Sequence, residues 1–375
     1  MSIWTTPERE QLRKTVRSFT EREILPNIDE WERTGDLPRD LHRRAGAAGL
    51  LGAGLPDSAG GGGGDGADAV IICEEFHQAG GPGGVFASLF TCGIAVPHIA
   101  EAGDPVQIER WVRPTLAGDK IGSLAVTEPD GGSDVAGIRT TAVREGDEYV
   151  VNGAKTFISN GAAADLVILA VKTDPDAGRR GISLLVVDTS TPGFARGRKL
   201  DKLGLRAQDL AEISFTDMRI PVENLLGVEN EGFTYLTSNL AQERLSIAVN
   251  SQAAAAAALS WAVEDHRQGA NAGQEVKFTL GQCAAEVAAG QSLIDQALLR
   301  HVQGRLSGND AAIAKLYCTE LQGRVVDRCL ALSDPSIVLR GDSRLGNAYL
   351  DGRVSRIYGG SSEIMKVIIG QSLGL

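Results

Sequence analysis

Residues 127–134 have the side-chain types that a polar ligand site needs. The run reads Thr-Glu-Pro-Asp-Gly-Gly-Ser-Asp and follows a short apolar run at 124–126. Thr127 and Ser133 can donate hydrogen bonds, and the two glycines between them let a large flat or phosphorylated molecule approach the main chain. The alternative is an ordinary hairpin loop in which Ser133 or its neighbour caps a helix. The residues alone leave both interpretations open.

A second candidate is the carboxylate of Glu243, which lies in a stretch with helical periodicity from Leu236 to Ala258. Leu236, Leu240 and Ile247 fall on one stripe of this helix, and Glu243 falls on the same stripe. Apolar surroundings disfavour the charged form of a carboxylate, which is how a glutamate becomes a general base. The alternatives are a buried ion pair with a nearby arginine, or a helix register that leaves Glu243 exposed.

Composition limits the possible partners. The 375 residues are enough for two or three packed domains, and 43% hydrophobic with 23% charged residues is typical of a globular protein. The net charge of -11 argues against nucleic acid as the main partner. A polyanionic ligand would need a local basic patch, and the alternative interpretation of such a cluster is a solvated charge run. The candidate residues are Arg196, Arg198, Lys199, Lys202 and Arg206.

The cysteines are odd in number, widely spaced and without a Cys-x-x-Cys pair. They are Cys73, Cys92, Cys283, Cys318 and Cys329. This pattern favours small core residues in a reducing cytosol over a disulfide or metal role. We identify neither an apolar run as long as a membrane span nor a signal peptide, so we expect a cytoplasmic protein without a membrane contact.

The elements that must position these residues follow a helix, sheet, helix order. We predict a helical domain over 1–120, with helices near 38–49, 67–79 and 85–102 and a glycine-rich linker at 59–66. His77 and His98 receive no chemical role. Residues 121–230 are predicted to form a β domain and residues 231–375 a helical bundle.

The β domain is predicted from apolar runs separated by Gly, Pro and Asp turns. These runs are 149–152, 166–171, 182–187 and 212–216. The first run is expected to end in a turn at Gly153, and the segments with Lys155 and Gly204 are expected to lie in turns, where ligand-binding residues concentrate.

Two segments resemble signature sequences of the acyl-CoA dehydrogenase family. Residues 125–134 are similar to its flavin loop, and residues 155–161, Lys-Thr-Phe-Ile-Ser-Asn-Gly, are similar to the partner strand. The resemblance implies an α+β fold with a helical N-terminal domain, a middle β-barrel domain and a C-terminal helical bundle. It also implies that Thr127 and Ser159 hydrogen-bond the flavin of FAD, that Phe157 stacks beside it, and that Ser133 helps to hold cofactor or substrate.

The resemblance also identifies a candidate base. Residues 242–248 are similar to the base-bearing helix of the long-chain and isovaleryl branches of the family. Other branches carry their base in a C-terminal Tyr-Glu-Gly motif, and the matching stretch 357–364 has Gly359 at the position of that glutamate. The resemblance therefore implies Glu243 as the catalytic base, with Arg244 orienting substrate or structure.

Two departures from the family pattern lie in the C-terminal domain. Residues 267–273 lack the Phe-Gly of an Arg-x-x-Phe-Gly turn, of which Arg267 is a remnant, and residues 332–341 contain Asp-Pro in place of Gly-Gly-x-Gly. In the family both elements reach FAD from a neighbouring subunit. Three interpretations follow: a hetero-oligomer whose partner completes the site, a homo-oligomer with substitutes such as Arg340 or Arg344, or loss of FAD with redox-neutral chemistry by Glu243.

We therefore expect an oxidoreductase of fatty acid metabolism that dehydrogenates an acyl thioester at the α and β carbons. Glu243 would remove the α-proton and flavin N5 would accept the hydride. The thioester carrier would be CoA or an acyl carrier protein, and electron-transfer flavoprotein would be the redox partner. The expected assembly is a dimer or tetramer of identical subunits, or a hetero-oligomer. The alternative is an FAD-independent lyase, isomerase or cyclase on the same scaffold.

Overall fold

The computed structural model describes residues 3–267, 273–333 and 343–375. Within these residues a helical N-terminal region, a sheet and a helical C-terminal region follow one another along the chain. The predicted α+β architecture is therefore confirmed.

The N-terminal region consists of short helices, several of which begin with a capping side chain. The Thr6 hydroxyl accepts a hydrogen bond from Arg9 N at the start of the first helix, and Asp65 forms a capping box with Asp68 at the start of the fourth. The helices are α1 Pro7–Phe19, α2 Ile28–Thr34, α3 Arg39–Ala47, α4 Gly66–Gln78, α5 Gly83–Leu89, α6 Cys92–Ala102, α7 Pro105–Gln107 and α8 Arg113–Leu116.

The prediction of one helix over 85–102 is wrong, because this segment forms the two helices α5 and α6. Helical geometry ends at Phe90, with φ -96° and ψ 11°, and the Thr91 hydroxyl turns back to donate to Ala87 O. The prediction that no apolar run is long enough for a membrane span is also wrong. The stretch Gly83–Ala102 is long and apolar enough by length and composition, but 61% of its apolar 18-residue window is buried inside the fold. Its length reflects two core helices in succession.

The middle region is one eight-stranded sheet. The strand order is β6-β7-β3-β2-β4-β5-β8, and β1 pairs in parallel with β4. The strands are β1 Gly122–Ala125, β2 Thr141–Glu145, β3 Glu148–Ser159, β4 Leu166–Lys172, β5 Ile182–Asp188, β6 Phe194–Lys199, β7 Leu210–Pro221 and β8 Leu225–Leu226.

Strand β3 does not end at Gly153, where the sequence predicted a turn. The glycine has φ +150°, and the register with β7 shifts between Val151 and Gly153, so the strand passes through a bulge and continues to Ser159. A Cβ at Gly153 would lie 2.5 Å from Thr140 Oγ1, which explains why only glycine fits. Lys155 consequently lies within a strand and not in a turn.

Strand β4 is buried along its whole length. Alternate residues from Leu166 pack into a core shared with the N-terminal helices, and the set from Val167 packs into a core within the sheet. A strand buried on both faces has a continuous apolar sequence in place of an alternating one, as 166–171 does. This strand therefore fixes the sheet to the helices.

The C-terminal region is built on one long helix that packs against three shorter neighbours and against α4. The predicted helix from Leu236 to Ala258 lies within it. The helices are α9 Gly232–Arg267, α10 Gln274–Val302, α11 Gly308–Ala331, α12 Arg344–Gly352 and α13 Ser362–Ser372. Asp334, Pro335, Arg340 and most of the 267–273 turn, which carry the two departures from the family pattern, lie outside the described residues.

Candidate functional site

The loop at 127–134 and the strand at 155–159 lie side by side. Thr156 N donates to Thr127 O at 3.0 Å, and Lys155 Nζ donates to Val126 O at 2.9 Å and to Glu128 Oε1 at 2.8 Å. Lys155 and Glu128 are both buried. The two segments singled out from the sequence are thus one structural unit.

Glu128 has a complete set of donors. Its carboxylate accepts from Arg139 N, from Thr140 N and hydroxyl, and from Lys155. Burial acts to raise the pKa of Glu128, but the Lys155 and Thr140 hydrogen bonds outweigh it and leave the pKa lowered. Burial also disfavours the charged form of Lys155, which lowers the pKa of its ammonium group to about 8. Sequence reasoning assigned no role to this pair, although a lysine in an apolar strand near a loop glutamate is a detectable signal.

Phe157 stands out from the sheet. It has φ 57°, a conformation that is unusual for a bulky residue, and it lies where the β3–β7 register shifts between Lys155 and Ile158. Its side chain is 63% exposed. The bulge turns an aromatic ring outward, beside the loop.

The loop and the strand also carry hydroxyl groups that can still donate a hydrogen bond. Ser159 Oγ accepts from Gln208 Nε2 at 3.2 Å, which leaves its own proton available. Among the described residues the hydroxyls of Thr127 and Ser133 have no hydrogen-bond partner, and Ser133 is exposed. The alternative role of a helix cap is not realised, because the short 3-10 helix Val135–Gly137 has no side-chain cap hydrogen bond.

These groups fit a flat, polar-edged ring. Phe157 offers an exposed aromatic ring, the hydroxyls of Thr127 and Ser133 have no protein partner, and the Ser159 hydroxyl keeps its proton for a ligand. A Cβ at Gly131 would meet no atom within 4 Å, so the main chain of the loop is open to close approach. The arrangement suits the isoalloxazine ring of a flavin.

Glu243 lies on α9 and its side chain is 15% exposed. Its Oε1 is 3.6 Å from Nε2 of His98, a fully buried residue on α6. No arginine lies within 4 Å of Glu243 among the described residues, so the predicted alternative of an ion pair with arginine is wrong. The ionisable side chain that does lie within 4 Å is that of His98, to which the sequence analysis assigned no role.

Arg244, next along α9, faces the C-terminal turn. Its Nε lies 3.5 Å from Gly359 O, and burial lowers the pKa of its guanidinium. Gly359 has φ +64°, and a Cβ there would lie 2.3 Å from Ile247 Cδ1, one helical turn beyond Glu243. The position of the alternative base is therefore filled by a side chain of α9.

Helix α6 connects the two parts of the site. It packs against α9, where His98 approaches Glu243, and against β1, where a Cβ on Gly122 would lie 3.5 Å from Ala95 Cβ. Strand β1 leads directly into the loop that begins at Thr127. The same helix thus supports both the carboxylate and the loop.

The predicted basic patch is largely occupied by internal contacts. Arg196 donates to Ala162 O and Ala164 O, while Lys199 and Lys202 donate to Gly35 O and Gln208 O. These cations hold turns together. Arg344, the substitute named above, lies over the Trp261 ring at 5.2 Å. No group of three metal-ligating side chains is found in the described part of the chain.

Comparisons with known proteins cover the whole chain. The acyl-CoA dehydrogenase N-terminal, middle and C-terminal domain families match residues 6–119, 123–218 and 230–374. A mouse protein named long-chain specific acyl-CoA dehydrogenase, mitochondrial, is 37% identical over 98% of this chain and 86% of its own length. The caffeyl-CoA reductase-Etf complex subunit CarC of Acetobacterium woodii is 30% identical over 99% of both.

A similar solved structure is that of a putative acyl-CoA dehydrogenase from Mycobacterium smegmatis. It is 47% identical, with a TM-score of 0.95, and the match covers 100% of this chain and 99% of that chain. The arrangement of helices and sheet described above is therefore shared at high similarity.

Proposed function

Because this chain belongs to the acyl-CoA dehydrogenase family and is an oxidoreductase of that type, we propose that it dehydrogenates an acyl-CoA with FAD as cofactor and Glu243 as base. The observation that carries the proposal is the pairing of a carboxylate on α9 with an uncovered ring and unused hydroxyls on the β3 side, both supported by α6.

Four residues would hold the cofactor. Phe157 would stack on the flavin, and the hydroxyls of Thr127 and Ser159 would hydrogen-bond its polar edge, with Ser133 at the cofactor or at the substrate. When bound, FAD supplies the acceptor for the hydride that leaves the β-carbon of the substrate. The loop and strand would keep these groups in place through the Lys155–Glu128 pair.

Glu243 would remove the proton from the α-carbon. The Glu243 side chain is 15% exposed, so the fold already shields most of it from water. A bound acyl chain would exclude the remaining solvent. Arg244 would hold the 357–360 turn through Gly359 O and thereby fix the helix register around the base. Glu243 and Arg244 would thus put the proton acceptor on the side of the substrate that faces α9.

A second candidate is the reverse reaction, reduction of an enoyl thioester, with Glu243 returning a proton to the α-carbon. Similarity to the CarC subunit of a caffeyl-CoA reductase–Etf complex favours this direction. For the same reason we propose an electron-transfer flavoprotein as the redox partner. Both directions use the same residues, and assembly with identical subunits or with a homologous partner would complete the FAD site.

The test begins with the visible spectrum of the purified protein, before and after addition of FAD. We expect a flavin spectrum that bleaches when a saturated acyl-CoA is added without oxygen. Glu243→Gln should keep the flavin spectrum and lose bleaching, whereas Glu264→Gln, an exposed position on the same helix, should behave as wild type. Bleaching by Glu243→Gln at the wild-type rate would contradict the base assignment. Reoxidation by an enoyl-CoA without bleaching by the saturated thioester would favour the reductase.

A further inference from the structure

His98 has an unusual environment for a core histidine. Its side chain is fully buried, and its Nε2 has no hydrogen-bond partner within the described residues. Buried polar atoms are almost always paired, so a buried nitrogen without a hydrogen bond requires an explanation. The nearest charged atom is Oε1 of Glu243, at 3.6 Å.

The neighbouring amide fixes the tautomer of this histidine. Asn239 Nδ2 lies 2.8 Å from Glu101 Oε2 and 3.2 Å from the carbonyl of Tyr235, and both of these oxygens only accept. The atom that faces them is therefore the NH2 group of the amide. The same NH2 group lies 3.2 Å from His98 Nδ1. Its two protons are shared among these three neighbours, but its nitrogen does not accept, so a proton on Nδ1 would find no acceptor there and Nδ1 is the unprotonated nitrogen. The ring proton is left on Nε2, the nitrogen that faces Glu243.

We propose that His98 is a positioning residue for Glu243: its neutral Nε2–H donates to Oε1 and leaves the other carboxylate oxygen to take the α-proton. This inference rests on the proposed role of Glu243 as base. Asn239 and Glu243 lie one turn apart on α9, while His98 and Glu101 come from α6, so the chain from Glu101 to Glu243 joins the two helices. Through this chain of contacts, α6 of the N-terminal region would hold the Glu243 carboxylate.

The physical benefit is orientation. A glutamate side chain has three rotatable bonds, and proton transfer needs its oxygen at near-attack distance from the α-carbon. Substrate binding would bring Oε1 from 3.6 Å to hydrogen-bond distance of Nε2, so that the donor is satisfied when the base is in place. A neutral donor achieves this without the strong stabilisation of the carboxylate that a cation would impose.

The experiment isolates proton transfer from hydride transfer. 3,3-Dimethylbutyryl-CoA has α-hydrogens and no β-hydrogen, so it cannot be dehydrogenated but can exchange its α-hydrogens with D2O. We would measure this exchange by mass spectrometry on the FAD-loaded protein, alongside kcat and KM for a dehydrogenated substrate. Hydrogen bonds to charged groups predict that His98→Leu slows exchange and kcat about tenfold or more, with KM changed about twofold or less.

Two further variants separate donation from packing. His98→Gln keeps an N–H near the position of Nε2 and should recover most of the exchange rate. Asn239→Leu removes the donor to Nδ1, so the ring proton is no longer confined to Nε2 and exchange should slow. Ser238→Ala is the matched control, because its hydroxyl also faces Glu101, at 3.4 Å, without touching His98, and it should exchange at the wild-type rate.

The outcomes distinguish the two proposals. If Glu243→Gln exchanges as fast as wild type, the base assignment fails. If Glu243→Gln abolishes exchange while folded His98→Leu keeps the wild-type rate, the base stands and the positioning role is overturned. Equal losses in His98→Leu and His98→Gln at unchanged melting temperature would also overturn it, because the donor would then be irrelevant. Should His98→Leu fail to fold, Asn239→Leu decides the question: slower exchange that His98→Gln does not share supports the donor, and exchange at the wild-type rate overturns it.

Discussion

Lys155 Nζ lies 2.8 Å from Glu128 Oε1, and this buried ion pair joins the strand of Phe157 to the loop of Thr127. The lysine is fully buried and also donates to Val126 O. This cation, together with the hydrogen bond from Thr156 N to Thr127 O, therefore fixes the relative position of the two segments that would hold the flavin.

Removal of the Lys155 charge should lower the unfolding free energy of the protein. In Lys155→Met the Glu128 carboxylate stays buried without its counter-charge, and breaking a buried pair on one side costs about 3 to 5 kcal/mol of unfolding free energy. Urea titration at pH 7 measures this loss. Lys366→Met, at an exposed position, should change the unfolding free energy by less than about 0.5 kcal/mol. Equal stabilities of the two variants would contradict the structural role of the pair.

Replacement of Phe157 by glycine should change the stability only slightly but weaken the binding of FAD. Phe157→Gly relieves the φ of 57°, worth about 1 to 2 kcal/mol, and so offsets the flexibility that glycine adds to the unfolded chain. Val143→Gly, with a similarly exposed side chain on β2, has no such strain and should lose about 1 kcal/mol more. FAD titration should show an affinity about tenfold lower for Phe157→Gly than for Val143→Gly. An unchanged FAD affinity in Phe157→Gly would remove the ring from the site.

Much of the fold follows from pattern, and the exceptions have local causes. The helix, sheet, helix order and the buried strand at 166–171 were predictable because they rest on long apolar periods. The continuation of β3 through Gly153 was not, since a glycine bulge and a glycine turn have the same sequence. The division of α5 from α6 at Thr91 depends on a side-chain hydrogen bond that no periodicity records.

The candidate site was also predictable only where it depends on local sequence. The loop hydroxyls, Phe157 and Glu243 were predicted from motifs and stay predictions. His98 was not predicted, because its position beside Glu243 depends on the packing of two helices far apart in the chain. A second pair was missed for the same reason: the carboxylates of Glu32 on α2 and Asp351 on α12 meet at the two glycines that begin α5. A contact between residues more than three hundred positions apart produces no pattern in the local sequence.

Glu32 and Asp351 predict a pH-dependent stability. They are carboxylates from α2 and α12 that meet at the two glycines that begin α5. Burial, and then the neighbouring Asp351, raise the pKa of Glu32 from 4.5 to about 7, and burial raises the pKa of Asp351 from 3.8 to about 6. From about pH 4 to 7 the folded protein then binds these protons more tightly than the unfolded chain does. Raising the pH through this window should therefore lower the unfolding free energy, by on the order of 2 kcal/mol.

Glu32→Gln provides the control for this prediction. The amide has no proton to lose, so the decline in unfolding free energy between pH 5 and pH 8 should become shallower than in wild type. Glu30→Gln, at an exposed position of the same helix, should keep the wild-type slope. A wild-type slope in Glu32→Gln would show that other groups cause the pH dependence.

Gly359 should resist any side chain. Gly359→Ala forces an L-residue to φ +64° and places its methyl 2.3 Å from Ile247 Cδ1, so we expect a loss of about 1 to 3 kcal/mol. Displacement of Ile247, one turn from Glu243, should also lower kcat. Gly370→Ala, in α13 with open space around it, should be neutral or slightly stabilising in thermal unfolding. Tolerance of alanine at both positions would show that the turn can move away from α9.

Strand β4 contributes alternate side chains to two cores, one with the N-terminal helices and one within the sheet. If the sheet were expressed by itself, the row that begins at Leu166 would face water, and an unprotected apolar sheet face promotes aggregation. The three regions of this chain are thus poor candidates for autonomous modules. Calorimetry should record the N-terminal helices and the sheet melting in a single cooperative transition, with no window of temperature in which one persists without the other.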